Sequence, residues 1–208
     1  MPGRESRQLR QFLLFVFALL IPCFAIWGFF SSAIVTPVIG LVHLTLSNWF
    51  PEIVHAVYQQ GADLLLMSTL DQVGDQLVQA TAPSDGLGFS VNTRTASYSI
   101  PFYAALHFAT DKKSYLVSFF WGLLALYPFI FLGLVCICLK ELMVGFGMTF
   151  LEQPGVFVPG PDVIGIAYQL SVLIVPTLVP VVVWAWQSRD TQLLAELQGV
   201  AHANSHSP

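Results

Sequence analysis

The chain has 208 residues, of which 55% are hydrophobic and only 10% charged, with 8 basic and 12 acidic side chains. A globular domain carries about 25% charged residues, so a soluble surface of the ordinary kind is excluded. A net charge of −4 without a Lys/Arg-rich run excludes a nucleic-acid binder, and the composition fits neither collagen, coiled coil nor disorder.

The position of the charges decides the class. Residues 11–51, 114–139 and 163–188 contain no Asp, Glu, Lys or Arg, and the shortest of these stretches has 26 residues. At about 1.5 Å per residue, such a stretch reaches about 39 Å as a helix, more than the hydrocarbon thickness of about 30 Å. The expected fold is an integral membrane protein, mainly α-helical, with three to four transmembrane helices and a small extracytoplasmic hairpin or α+β segment.

Residues 1–11 form a basic amino terminus with Arg4, Arg7 and Arg10. They precede a first transmembrane helix over 12–37, bent near Pro22. Its length, Trp27 and Phe29–Phe30 at its exit, and the lack of an A-x-A site speak for a retained helix rather than a cleaved signal. The three arginines place the amino terminus in the cytoplasm. Residues 38–51 either extend this helix or form an interfacial one. His43 there has no His, Cys or carboxylate at i+3 or i+4, so it reads as a polar-face residue, not a metal ligand.

Residues 52–97 are the soluble-like, extracytoplasmic segment. The run GFSVNTRTASYS, Gly88 to Ser99, alternates with a period near two and predicts a strand. Ala62 to Leu70 is its expected partner in a hairpin, with 71–88 as a partly helical connection. Residues 98–110 form a short transmembrane or re-entrant helix. Loop charges favour a crossing there. With four crossings, Arg4, Arg7, Arg10, Lys112, Lys113 and Arg189 are inside and only Arg94 and Lys140 outside; three crossings leave four on each side. Four crossings are therefore preferred, with the short helix beside the others or thinning the bilayer.

The next transmembrane helix occupies 114–139, with Lys140-Glu141 as its exit. Residues 140–161 are a Gly/Pro-rich loop. The last span, 162–188, opens at Asp162 as a helix cap and is bent by Pro176 and Pro180. Trp184 and Trp186 ahead of Arg189 resemble an aromatic belt with a basic anchor. Residues 189–208 are a tail, in which His202 and His206 could share a metal only if helical.

Chemistry-bearing motifs are scarce. There is no P-loop, H-E-x-x-H, G-x-S-x-G or C-x-x-C-H, and no charge lies inside an apolar span. Cys23, Cys136 and Cys138 lie in apolar runs and read as small packing residues. A helix turns Cys136 and Cys138 roughly 200° apart, so no disulfide is expected between them. A nucleophilic thiol needs a nearby base or cation, and only His107 and Arg94 come into question. No catalytic residue, cofactor or metal is expected.

Three passages together, FLLFVFALLIPCFAIW after the basic amino terminus, YSIPFYAALHFA from Tyr98, and YQLSVLIVPTLVPVVVWAW near the carboxyl end, resemble the exosortase H-associated membrane proteins. These are small proteins of the bacterial inner membrane that accompany an exosortase, a membrane enzyme processing proteins with carboxyl-terminal sorting signals. The resemblance implies a multi-pass inner-membrane protein with an accessory, non-enzymatic role and an exosortase as membrane protein partner. It supplies no catalytic residues to carry over. A structural subunit of another membrane complex, or a channel or carrier component, are the alternatives the residues leave open.

Partner contact is expected on the last helix. Small residues and proline bends let helices approach closely in lipid, where packing and hydrogen bonds rather than hydrophobic burial drive association. Tyr168 and Gln169 are the candidate hydrogen-bonding contacts, Ser171, Pro176 and Pro180 the recesses, and Trp184 and Trp186 the depth anchors.

Overall fold

The computed structural model describes residues 2–73, 76–82, 85–110 and 115–189. The tail with His202 and His206, and Lys112 and Lys113, lie outside the described residues. Among the described residues, three helices are long and apolar enough to cross a membrane: Leu9–Trp49 with 41 residues, Tyr115–Phe146 with 32 and Pro161–Ser188 with 28. The protein is a helical membrane protein with a small sheet.

The first long helix, α1 (Pro2–Trp49), continues without a break from 38 to 49, so that part of the stretch extends it and the helix ends before Phe50-Pro51. Its character changes along its length. Large apolar side chains are exposed from Leu13 to Phe30, whereas Val35, Val38, Ile39, Val42 and Leu46 are buried. One face of the second half is therefore a packing surface for protein, while Leu41 and Leu44 remain exposed.

After α1 come strands β1 (Val54–Gln60), β2 (Asp63–Ser68), β3 (Leu70–Val73), β4 (Gln76–Gln79) and β5 (Gly88–Asn92). The main sheet has the order β1-β2-β5, and β3-β4 form a separate hairpin. The expected pairing is present: β2 runs antiparallel to β5, with Leu64 opposite Val91 and Leu66 opposite Phe89. Leu64 and Leu66 are buried while their neighbours Leu65 and Met67 are half-exposed, as period-two alternation requires. Two expectations are corrected. The strand ends at Asn92 rather than Ser99, because the Asn92 side-chain oxygen accepts from the Arg94 N–H at 2.9 Å and turns the chain into α2 (Arg94–Ser97). The described part of the connection after Leu70 is the β3-β4 hairpin, not helix.

Helix α3 (Ser99–Phe108) has 10 residues, about 15 Å. Helix α4 (Tyr115–Phe146) runs past Lys140-Glu141, which was expected to end it. The two charges pair at 2.9 Å, and Lys140 Nζ also lies 5.4 Å from the centre of the Tyr168 ring, so neither demands an exit to water. Gly147, at φ +54°, breaks the helix instead. A short α5 (Met148–Leu151) leads to α6 (Pro161–Gln169), a π-helical turn over Leu170–Ile174, and α7 (Val175–Ser188). Asp162 is not the cap of α6. Gly160 occupies that position because Pro161, without an N–H and with its fixed φ, starts the helix. The π turn lies directly before Pro176, whose ring would collide with the carbonyl of Val172 in a regular helix.

The chain divides into two compact units. Unit 1 comprises 1–29, 98–126 and 177–208; unit 2 comprises 30–97 and 127–176. In unit 2 the sheet is docked by specific contacts. The Val57 N–H donates to His43 Nδ1 at 3.1 Å, and Gln59 Nε2 donates to the Ser32 carbonyl at 2.9 Å. Phe89 meets Phe146 edge to face at 5.3 Å, and a side chain on Gly145 would overlap the Phe89 ring. His43 is thus a structural partner of β1.

Candidate functional site

In unit 1 an apolar bundle encloses a connected set of polar groups. Helix α3 opens with Tyr98 as its amino-terminal flank and buries Ser99, Ile100, Pro101, Tyr103, Ala104, Ala105, Leu106 and His107. Tyr103 and His107 stand four residues apart, on one face of the helix, and both are fully buried. The Tyr103 hydroxyl lies 2.7 Å from Gln187 Oε1, 3.1 Å from His107 Nδ1 and 3.3 Å from the Ser118 carbonyl. Gln187 Nε2 donates to that same Ser118 carbonyl at 2.9 Å.

On its other side the imidazole places Nε2 3.0 Å from the Tyr115 carbonyl. A carbonyl only accepts, so Nε2 carries the proton. One turn away, Trp184 Nε1 donates to Thr110 Oγ1 at 2.7 Å, and Thr110 donates to the Leu106 carbonyl at 3.0 Å. Aromatic rings seal the set: Phe119 stacks on Tyr103 at 5.7 Å and lies 5.5 Å from His107, and Phe12 stacks on Trp184 at 5.4 Å. At Gly122 a Cβ would overlap the Tyr103 hydroxyl and ring, so only glycine leaves room for this arrangement.

Chemically this is a clamp. The Tyr103 hydroxyl has a single proton for the Gln187 Oε1, His107 Nδ1 and Ser118 carbonyl around it, the shortest contact being the one to Gln187, so these groups form one shared polar cluster in low-dielectric surroundings. It ties α3, the start of α4 and the end of α7 together. The sequence holds the local half of this signal, a Tyr and a His at helical spacing in an apolar segment. Gln187, 84 residues beyond Tyr103, gives no local hint.

The residues expected to contact a partner separate into two groups. In unit 2, Ser171 is buried beside Gly133, where a Cβ on the glycine would lie 3.8 Å from that of Ser171 and 3.5 Å from that of Ala96. Pro176 is also buried, Tyr168 is half-buried under Lys140, and Gln169 is exposed. In unit 1, Pro180 and Trp184 are buried and Trp186 is 64% exposed. Ser171, Pro176, Pro180 and Trp184 therefore pack this chain's own helices, while Gln169 and Trp186 point away from it.

The three cysteines are free, Cys138 buried and Cys23 and Cys136 half-buried. Among the described residues no group of three or more His, Cys, Asp or Glu could hold a metal ion. A profile of the exosortase H-associated membrane proteins matches residues 6–191. No curated protein and no solved structure matches the chain.

Proposed function

The chain belongs to the exosortase H-associated membrane protein family, and from that premise we propose that it is a non-catalytic accessory protein of the bacterial inner membrane, with its amino terminus in the cytoplasm. It assists an exosortase-based protein sorting system by binding a membrane protein partner. The observation that carries this reading is the extent of the family match, which includes all three apolar helices and the sheet. The use made of the buried polar groups supports it. His107, the imidazole best placed to act as a base, has one nitrogen on the Tyr115 carbonyl and the other against the Tyr103 hydroxyl, which leaves neither for a substrate.

Partner contact in this reading falls to the residues that the fold leaves outward, Gln169 and Trp186, with Tyr168 at the margin. An exposed amide beside lipid can hydrogen-bond a neighbouring helix, and a tryptophan supplies area and a single donor at little entropic cost. The test is purification of the tagged chain from its native membranes, with mass spectrometry of the proteins that co-elute. An exosortase should be enriched. Consistent recovery of a different membrane complex, without exosortase, would replace this function with a structural role there.

A further inference from the structure

We infer that α3 is a half-length helix buried within the membrane bundle, which brings the chain back across the bilayer so that both ends of the described chain face the cytoplasm. The inference adds the side of the carboxyl end to the proposed function and rests on it only for the placement of the amino terminus.

Unit 1 carries the argument. Phe12, at the beginning of α1, stacks on Trp184, near the end of α7. Ser118, at the beginning of α4, shares its carbonyl with Gln187, also near the end of α7. His107 and Thr110, at the end of α3, reach Tyr115 and Trp184. The starts of α1 and α4, the end of α3 and the end of α7 are thus gathered in one cluster. Two long apolar helices that begin on the same side and both cross require the intervening chain to cross back. Only α3 and the residues leading into it are available for that return.

A helix of about 15 Å covers half of a hydrocarbon core of about 30 Å and cannot face lipid at both ends. Its exposed peptide groups would be unsatisfied there, so a partial span is tolerated only where protein encloses it. That is the condition α3 meets. Eight of its ten residues are buried, whereas the long helices expose Phe29, Trp121 and Leu173. At the start of α4 the Tyr115 carbonyl accepts from His107 Nε2 and the Ser118 carbonyl from Gln187 Nε2.

Charge gives the direction. The chain reaching and leaving this cluster carries Arg4, Arg7, Arg10, Lys112, Lys113 and Arg189, against Arg94 and Lys140 elsewhere. Cytoplasmic segments are the ones enriched in Lys and Arg. The strands β1, β2 and β5 then lie outside.

The test is labelling of single-cysteine variants of the full-length protein, Arg10→Cys, Lys113→Cys, Arg189→Cys and Asp85→Cys, with a membrane-impermeant maleimide. Spheroplasts and inverted vesicles are compared, and labelling of the parent chain gives the background. Positions 10, 113 and 189 should react several-fold more in inverted vesicles, and position 85 in spheroplasts. Fusions of a cytoplasm-active fluorescent protein after Arg189 and of a periplasm-active phosphatase near Asp85 repeat the measurement without relying on any one cysteine variant. Position 113 reacting with 85, position 189 opposite to 10, or all four reversed would overturn the assignment. None of these results depends on which partner co-purifies.

Discussion

Replacing Gly122 by alanine should break the clamp from outside, because the added methyl falls on the Tyr103 hydroxyl and ring. Tyr103 is fully buried, stacked on Phe119 with its hydroxyl against Gln187. Overpacking of this kind costs about 1–3 kcal/mol. Displacing the hydroxyl also costs its hydrogen bond in the polar cluster and leaves a buried acceptor unsatisfied, together about 2 kcal/mol. The variant should therefore lose about 3–5 kcal/mol in reversible unfolding by sodium dodecyl sulfate from mixed micelles.

The mechanism has a sharper signature than the loss itself. Tyr103→Leu alone removes the ring and leaves His107 Nδ1 without its partner, at a cost of about 2–5 kcal/mol. In the Gly122→Ala/Tyr103→Leu double variant the methyl enters space already vacated. The double variant should be about as stable as Tyr103→Leu alone, far from the sum of the two losses. Additivity within about 0.5 kcal/mol would refute a direct collision and with it the packing of α3 on α4 described here.

Two further outcomes are expected. Replacing Cys23, Cys136 and Cys138 together by alanine should preserve co-purification of the partner, with a stability loss of about 1–3 kcal/mol at the buried Cys138 site; loss of function at normal protein levels would mean that a thiol acts chemically. Gln169→Leu should weaken partner recovery several-fold at unchanged stability, whereas Pro176→Ala, which restores an N–H after the π turn, should change stability and recovery together; the reverse pattern would place the partner surface elsewhere.

The apolar spans and the β2-β5 pairing were legible because each depends on a local pattern, a charge-free run in one case and alternation in the other. What was not legible depends on partners distant in sequence. Strand β1, VHAVYQQ, was missed because its alternation is interrupted by an irregularity between Val54 and Ala56 and its edge is held by His43 of α1. Lys140-Glu141 looked like the exit of a helix because charges usually leave the bilayer, yet they neutralise each other and Lys140 also rests over Tyr168. Of the residues expected to meet a partner, Ser171, Pro176, Pro180 and Trp184 offer small size, bends and depth, properties that serve internal packing equally well.

Loop charge favours four crossings although three helices among the described residues are long enough. The positive-inside rule counts sides of the membrane and is indifferent to how the chain returns. Helix length, by contrast, measures contact with lipid, and a segment walled in by protein is released from that requirement. Helix α3 meets the second condition through Tyr103, His107, Ser118 and Gln187. A length criterion overlooks such a segment, while its buried tyrosine and histidine at helical spacing mark it. In a chain with so few charges, it is these hydrogen-bonding side chains inside apolar runs that specify which helices meet.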